Sequence, residues 1–227
     1  MKMIDKITTI LVALTLPYVL IMFSIRVLFT PLFLVFEYNL PGFPVDSYGF
    51  TTEERLKWGT LSMQYLFDDG EVESLEDFRF ENGEQIYNQR EISHMVDVKI
   101  LLQQTLMIFY ILLAIYLVVI LWHVFRKQVH LLWSALSKGG WITLGLIGAI
   151  LVAVVVSFDA LFTAFHKVFF AGDTWLFRYS NTLIRLFPIR LWQDAFIFMG
   201  IITIGLALFF AIYGNKKRYK KIVEIEN

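Results

Sequence analysis

Two histidines lie in short polar segments at the ends of long apolar runs. His94 precedes the apolar run that begins at Ile100, and His166 directly follows the run that ends at Phe165. An imidazole titrates close to neutral pH, so it can both take up and release a proton there. Titratable groups are costly to place at the edge of a membrane. The pattern therefore favours proton transfer by both histidines, and we expect them to meet at a shared cavity.

Charged residues recur at helical spacing around His94. Asp97 lies three residues after it and Arg90 lies four residues before it, so a helix would present all three on one face. In that arrangement the Asp97 carboxylate would hold the imidazole in one tautomer. The alternative is an interfacial histidine whose nitrogens are satisfied by the backbone or by water.

A second polar stripe runs along the segment that ends at His166. Asp159 and Thr163 precede this histidine by seven and three residues, which predicts one helix face. Polar groups inside an apolar span should face the bundle interior rather than lipid. Asp194 enters the last apolar run at a similar depth. The alternative role for both aspartates is hydrogen bonding between helices.

The other histidines and Arg26 are expected at membrane interfaces. His123 and His130 lie beside Arg126 and Lys127 at the far end of the second apolar run. Arg26 lies about 20 residues into the first run, where its long side chain can reach the interface. Arg26 is also a candidate to bind a lipid phosphate or an ester carbonyl.

Four apolar runs must position these residues. The mean hydropathy is +0.62 and 57% of the residues are hydrophobic, well above the values of a soluble domain. About 20 apolar residues span the hydrocarbon as a helix. The sequence predicts an all-α membrane protein with four transmembrane helices, in a single polytopic domain of residues 1–227. The spans are expected at about 7–35, 100–125, 141–165 and 191–213, the first being interrupted by Pro17 and Pro31.

The distribution of basic residues predicts the orientation. If both termini are cytoplasmic, the 35 residues 1–6, 126–140 and 214–227 hold ten Lys or Arg. The 88 residues 37–99 and 166–190 hold nine. The positive-inside rule then places both termini in the cytoplasm. A roughly 60-residue insert (36–99) and the outer loop 166–190 would be extracytoplasmic, with the histidine pair on that side of the cell membrane.

The insert between the first two spans contains its own structural signals. Thr51 and Thr52 followed by Glu53 and Glu54 predict a helix start. Asn82-Gly83 predicts the turn of a short hairpin, and residues 86–99 predict a helix that continues into the second span. Because the insert is rich in aromatic residues, we expect it to lie on the membrane surface and roof the bundle. A flexible loop is the alternative.

Several kinds of chemistry are absent from the sequence. There is no cysteine, which excludes disulfides, thiolate nucleophiles and zinc–thiolate sites, and the chain is not itself a lipoprotein. No nucleophile elbow, zincin, P-loop or dinucleotide motif is present. We therefore expect no cofactor, no metal and no nucleic-acid partner. The basic cluster at 216–221 is explained by orientation and by attraction to anionic membrane lipids.

Four segments together resemble one known family. Residues 87–99, 164–170, 173–177 and 186–194 resemble the lipoprotein intramolecular transacylase (Lit) family of Gram-positive bacteria, and the resemblance covers essentially the whole chain. It implies transfer of the sn-2 acyl chain of a diacylglyceryl-cysteine lipoprotein onto its own α-amino group, giving a lyso-form lipoprotein. His94 and His166 are then the catalytic residues. The candidate substrate-binding or supporting residues are Arg26, Tyr87, Arg90, Asp97, Asp159, Asp173, Trp175 and Asp194.

The residues fit that chemistry independently of the resemblance. An α-amino group titrates near about pH 8 and needs a base to become a nucleophile. Because amine and ester belong to one molecule, positioning can supply much of the acceleration. A monomer acting on diacylated lipoproteins is therefore expected. The alternatives are a non-catalytic lipid- or protein-binding membrane factor, and a metal-dependent intramembrane hydrolase using the two histidines and nearby carboxylates.

Overall fold

Four long helices form the framework of the chain. The computed structural model describes the backbone of residues 3–226 and the side chains of residues 3–217. Helices that are long and apolar enough to cross a membrane are Met3–Leu28, Gln89–Phe125, Val129–Phe169 and Ile189–Lys217, which confirms the predicted number. The helices are α1 Met3–Leu28, α2 Pro31–Tyr38, α3 Thr52–Phe67, α4 Glu73–Glu76, α5 Gln89–Phe125, α6 Val129–Phe169, α7 Thr182–Leu186 and α8 Ile189–Glu226.

The first predicted span is not one helix. Helix α1 ends at Leu28, and α2 begins at Pro31 after Thr30 in an extended conformation (φ −138°). A residue that precedes proline disfavours the helical region, whereas proline itself fits the first helical position. The run predicted as 7–35 is therefore divided, and α2 buries Leu34, Glu37 and Tyr38.

Helix α6 also departs from the predicted span. It begins at Val129, so only residues 126–128 of the expected cytoplasmic loop 126–140 lie outside a helix. Near its other end, Ser157 has non-helical dihedral angles (φ −163°, ψ 95°). Its hydroxyl accepts a hydrogen bond from the Ala160 amide at 3.3 Å, which is the geometry of an N-cap. Residues 158–169 are thus a second helical segment with its own start.

One compact unit comprises residues 3–26, 106–155 and 197–226. Its helices approach closely where small residues meet: a Cβ added at Gly140 would lie 2.7 Å from the carbonyl oxygen of Ala207. The Ser137 hydroxyl donates to the Ala211 carbonyl at 2.8 Å. Small residues and hydroxyl hydrogen bonds of this kind are what hold helices together in lipid.

The other compact unit comprises residues 27–105 and 156–196 and contains the insert. Thr51 caps α3 in a capping box with Glu54, which confirms the predicted helix start. Residues 78–86 turn at Gly83 (φ +86°), and Arg79 and Gln85 form an isolated antiparallel bridge. The insert has an apolar core that it shares with α7 and the first turns of α5, including Trp58, Tyr65, Leu75, Tyr87, Ile92 and Leu186.

Candidate active site

The two histidines predicted to do chemistry lie side by side. His94 is in the second turn of α5 and His166 in the last turn of α6. Their ring centroids are 6.1 Å apart and the ring planes differ by 25°. Only 6% of His94 and 8% of His166 is exposed. The structure therefore brings together two residues that are 72 positions apart in the sequence.

Aromatic rings surround the histidine pair. Phe170 touches both imidazoles, with centroid distances of 5.0 Å to His94 and 5.4 Å to His166. Phe177 lies 5.3 Å from His94. Trp175 lies 4.9 Å from the His166 ring and Phe162 lies 4.0 Å from it. Of these residues the sequence had marked only Trp175, although phenylalanines four residues before and after His166 were a visible signal.

The backbone fixes the tautomer of His166. Its Nδ1 lies 2.7 Å from the carbonyl oxygen of Phe162. Because a carbonyl can only accept, Nδ1 carries the hydrogen, and in the neutral ring Nε2 keeps its lone pair. Such a second-nitrogen hydrogen bond orients an imidazole for chemistry at the other nitrogen. His166 is thus set to accept a proton at Nε2.

His94 differs in having an unsatisfied nitrogen. Within residues 3–217, its Nδ1 is buried and has no hydrogen-bond partner. The prediction that Asp97 would orient this imidazole is wrong, because no hydrogen bond joins them. Three residues advance a helix by about 300°, and this offset leaves Asp97 half-buried at the edge of the face that buries His94. An unsatisfied buried polar atom calls for an explanation, and a bound group is one.

Arg90 contacts the loop that follows α6. Its guanidinium donates to the backbone carbonyl of Asp173 and lies 3.4 Å from the Asp173 carboxylate. The side chains are 46% and 76% exposed. Arg90 and His94 both lie in α5 at the expected spacing of four residues, and Arg90 in addition joins the start of α5 to the loop after α6. Asp173 is thus an exposed residue of this loop, two positions before the buried Trp175.

Glu91 fixes the start of α5 just before His94. Its Oε2 accepts a hydrogen bond from the Asn88 amide at 3.0 Å, and its Oε1 accepts one from the Leu183 amide at 2.7 Å. The carboxylate therefore joins α5 to the first turn of α7. Tyr87, predicted as a supporting residue, is buried in the insert core, and its hydroxyl lies 2.5 Å from that of Ser62. Both contacts position the helix that carries His94.

Helix α7 is fixed by basic side chains of its unit. Arg185 forms a 2.8 Å ion pair with Asp46, and Arg55 donates to the Arg185 carbonyl at 3.1 Å. Burial alone would raise the pKa of Asp46, but hydrogen bonds from Arg185 and the Phe50 amide outweigh it, and the pKa is lowered. Asp46 therefore stays ionised at neutral pH and keeps the pair intact.

Asp159 does not face the bundle interior. It is exposed in the first turn of the segment that Ser157 caps. The break at Ser157 creates a helix N-terminus there, and a carboxylate in a first turn interacts favourably with the helix dipole. The expectation of an interior stripe is thus wrong for Asp159. Arg26 is exposed near the end of α1, in the other compact unit. Its contact with a lipid phosphate or an ester carbonyl stays a prediction.

Asp194 takes part in a carboxyl pair that the sequence did not reveal. It pairs with Arg190 one turn earlier in α8 and lies beside Glu37 of α2. Glu37 is 0% exposed, and neither carboxyl oxygen has a hydrogen bond of good geometry within residues 3–217. Burial, together with the neighbouring Asp194, raises the pKa of Glu37 to about 8. The sequence does not single out Glu37, because this residue falls between the end of the first apolar run and the turn-rich start of the insert.

The remaining histidines are in the other unit. His123 is buried, and its Nε2 lies 3.1 Å from the Thr8 hydroxyl, so it contributes to helix packing there. Within the described part of the chain, no three His, Asp or Glu side chains gather in a way that could hold a metal ion.

Comparisons with known proteins agree with the fold. The model of a family described as lipoprotein intramolecular transacylase Lit matches residues 10–192. An uncharacterized protein of Aquifex aeolicus (strain VF5) is 31% identical over 218 residues, which cover 93% of this chain and 96% of that protein. The in meso structure of the membrane integral lipoprotein intramolecular transacylase Lit from Bacillus cereus is 18% identical, with a TM-score of 0.78 over 98% of this chain and 100% of that chain. A histidine-to-alanine variant of that protein has a TM-score of 0.72 at 19% identity, over 97% of this chain and 96% of that chain.

Proposed function

Because the chain belongs to the lipoprotein intramolecular transacylase family, we propose that it moves the sn-2 acyl chain of a diacylglyceryl-modified cysteine onto the α-amino group of that cysteine, with His94 and His166 transferring the protons. As a family member the chain is a multi-pass membrane acyltransferase that acts on lipoproteins. The product of the proposed reaction is a lipoprotein with an N-linked acyl chain and a single remaining ester on its glycerol. The reaction site faces the extracytoplasmic side.

His166 is the proposed base. In the neutral ring its Nε2 keeps a lone pair, because Nδ1 donates its hydrogen to the Phe162 carbonyl. Nε2 takes a proton from the α-ammonium group, and the free amine then attacks the sn-2 ester carbonyl. The new C–N bond forms, the bond from carbonyl carbon to glycerol oxygen breaks, and that oxygen must receive a proton. An ammonium and an ester thus become an amide, a free hydroxyl and one released proton.

His94 is the proposed second proton carrier. No hydrogen bond joins the two imidazoles, whose ring centroids are 6.1 Å apart, so each ring can act on a different group of the substrate. The buried Nδ1 of His94 without a partner is the observation that carries this proposal most directly. Such a nitrogen can donate to the departing glycerol oxygen or to the developing charge on the carbonyl oxygen.

The aromatic enclosure suits an intramolecular transfer. Phe162, Phe170 and Trp175 exclude water from the imidazoles, and exclusion of water protects an acyl group from hydrolysis. The transfer needs no acyl-enzyme, because the amine and the ester arrive on the same molecule. Substrate specificity then depends on the lipid-modified cysteine more than on the peptide that follows it. A monomer is sufficient, since both histidines belong to one compact unit.

Mass spectrometry of a model lipoprotein tests the proposal. Cells that make only diacylated lipoproteins should yield the lyso-form with an N-linked acyl chain when they express this chain. Expression of His94→Ala or His166→Ala should leave the diacylated form, at protein levels in the membrane that match the wild type. Normal lyso-form product from both variants would refute histidine catalysis. Persistence of the diacylated form with the wild-type chain would refute the function.

A further inference from the structure

The two histidines are buried beneath a loop that the proposed reaction cannot leave in place. Trp175 and Phe177 come from the segment 171–177, between α6 and α7, and pack against His166 and His94. Because only 6% of His94 and 8% of His166 is exposed, a cysteine carrying two acyl chains has no access to either ring. Some covering group must therefore move before the substrate can bind, given the function proposed above.

The loop 171–177 is built to move as one piece. Two hydrogen bonds lie within the loop: the Trp175 indole donates to the Gly172 carbonyl at 3.2 Å, and the Leu176 amide donates to the Asp173 carbonyl at 3.0 Å. Gly172 has a φ of +66°, a conformation that glycine adopts without cost. The segment contains no helix or strand. These internal hydrogen bonds would keep the shape of the loop while it rotates as a unit about its two ends.

Within residues 3–217, the polar contacts from this loop to the rest of the chain go to one side chain. Arg90 donates to the Asp173 carbonyl and pairs with the Asp173 carboxylate at 3.4 Å. Both side chains are substantially exposed, and exposed ion pairs contribute little to stability. Such a contact holds a loop in register yet is broken at little cost. Because Arg90 lies one turn before His94 in α5, the contact holds the loop next to the histidine pair.

We propose that residues 171–177 form a lid over the two histidines, with the Arg90–Asp173 ion pair as its latch. The lid opens to admit the lipid-modified cysteine and closes to place Trp175 and Phe177 over the reacting groups. Leu176 on the outer side is exposed and suits contact with lipid. Closure keeps water from the ester, because attack by water would cleave the same carbonyl carbon–oxygen bond and release the acyl chain as a free fatty acid.

A reversible cross-link tests the lid, and the absence of cysteine from the chain makes the labelling unambiguous. Arg90→Cys/Asp173→Cys is joined by a bifunctional thiol reagent whose spacer contains a disulfide, and then assayed on a diacylated lipopeptide in liposomes. The cross-linked chain should make at least about ten-fold less lyso-form product, as expected for a blocked closure step. Reduction should restore the product, with more free fatty acid than the wild type releases because the latch is missing.

Two controls separate the lid from simple damage. Glu76→Cys/Gln89→Cys places the same cross-link between the insert and α5, where the native side chains meet at 3.4 Å, and it should leave the product yield unchanged. Asp173→Cys carrying a one-ended reagent of the same size should make more lyso-form product than the cross-linked chain. Undiminished transfer by the cross-linked Arg90→Cys/Asp173→Cys chain would overturn the lid, as would a reduced chain that makes no product. Failure of the wild-type chain in this assay would instead refute the transfer reaction itself, and the lid with it.

Discussion

Replacing Glu37 by glutamine should stabilise the protein at neutral pH and remove part of its pH dependence. The Glu37 side chain is completely buried, its carboxyl oxygens have no hydrogen bond of good geometry within residues 3–217, and Asp194 lies beside it. Burial and this neighbour raise the pKa of Glu37 from 4.5 to about 8, although Arg190 acts in the opposite direction. A carboxyl group in this position is therefore protonated at neutral pH when the chain is folded and ionised when it is unfolded.

The sign and size of the effect follow from this difference. The folded chain binds the proton more tightly, so the contribution of Glu37 is most favourable below about pH 4.5 and is lost as the pH rises to about 8. Raising a pKa from 4.5 to about 8 corresponds to about 5 kcal/mol. Solvent near Asp194 and Arg190 screens the effect, and we expect about 2 kcal/mol. For a chain of this size that is a difference of roughly 4–8 °C in Tm.

Thermal unfolding of the purified protein in detergent, followed by tryptophan fluorescence at a series of pH values, measures this difference. Glu37→Gln should be more stable than the wild type near pH 8 and approach it towards about pH 4.5. Glu81→Gln, at an exposed turn position of the insert, is the matched control and should follow the wild type throughout. A Glu37→Gln chain that is less stable than the wild type at every pH would show that Glu37 forms a favourable ionised contact, contrary to this reasoning.

Three further substitutions have defined expectations. Tyr87→Phe should cost about 1 kcal/mol of stability, measured by the same unfolding assay, because it removes the 2.5 Å contact with Ser62. His123→Ala should keep forming lyso-form product in a mass-spectrometric assay, because His123 belongs to the other compact unit; loss of product in a stably inserted variant would contradict this. Trp175→Ala should lower kcat and increase the release of free fatty acid relative to Trp175→Phe, which preserves an aromatic ring over the site; identical product ratios would argue against water exclusion by Trp175.

Features that depend on local sequence were predictable. Each spanning helix is indicated by the length of its apolar run. The capping box at Thr51 is predicted by four consecutive residues, Thr51 to Glu54. The pairing of His94 and His166 was also foreseeable, because both occupy polar edges of spans predicted to end on the same membrane side. These signals need no knowledge of how the helices are rotated about their axes.

Features that depend on helix rotation and on tertiary packing were not predictable. Asp97 and Asp159 share the expected spacing with a histidine, yet one is at the edge of its helix face and the other is exposed beyond a break at Ser157. Residue spacing gives only the angular position of a side chain around a helix, and only if the helix is unbroken. Whether two side chains form a hydrogen bond depends also on their rotamers and on the residues packed around them. The enclosure by Phe170 and Phe177 and the pairing of Glu37 with Asp194 arise from contacts between distant segments, which spacing alone does not encode.

The central claim is that the acyl chain moves within one lipoprotein molecule. A mixture of two diacylated lipopeptides tests it, one with isotope-labelled sn-2 chains and the other unlabelled with a distinguishable peptide. After incubation with the purified protein in liposomes, mass spectrometry of each N-terminus should find the label on the amine of the labelled peptide alone. Label on the amine of both peptides would contradict an intramolecular transfer and require an acyl-enzyme or an intermolecular route.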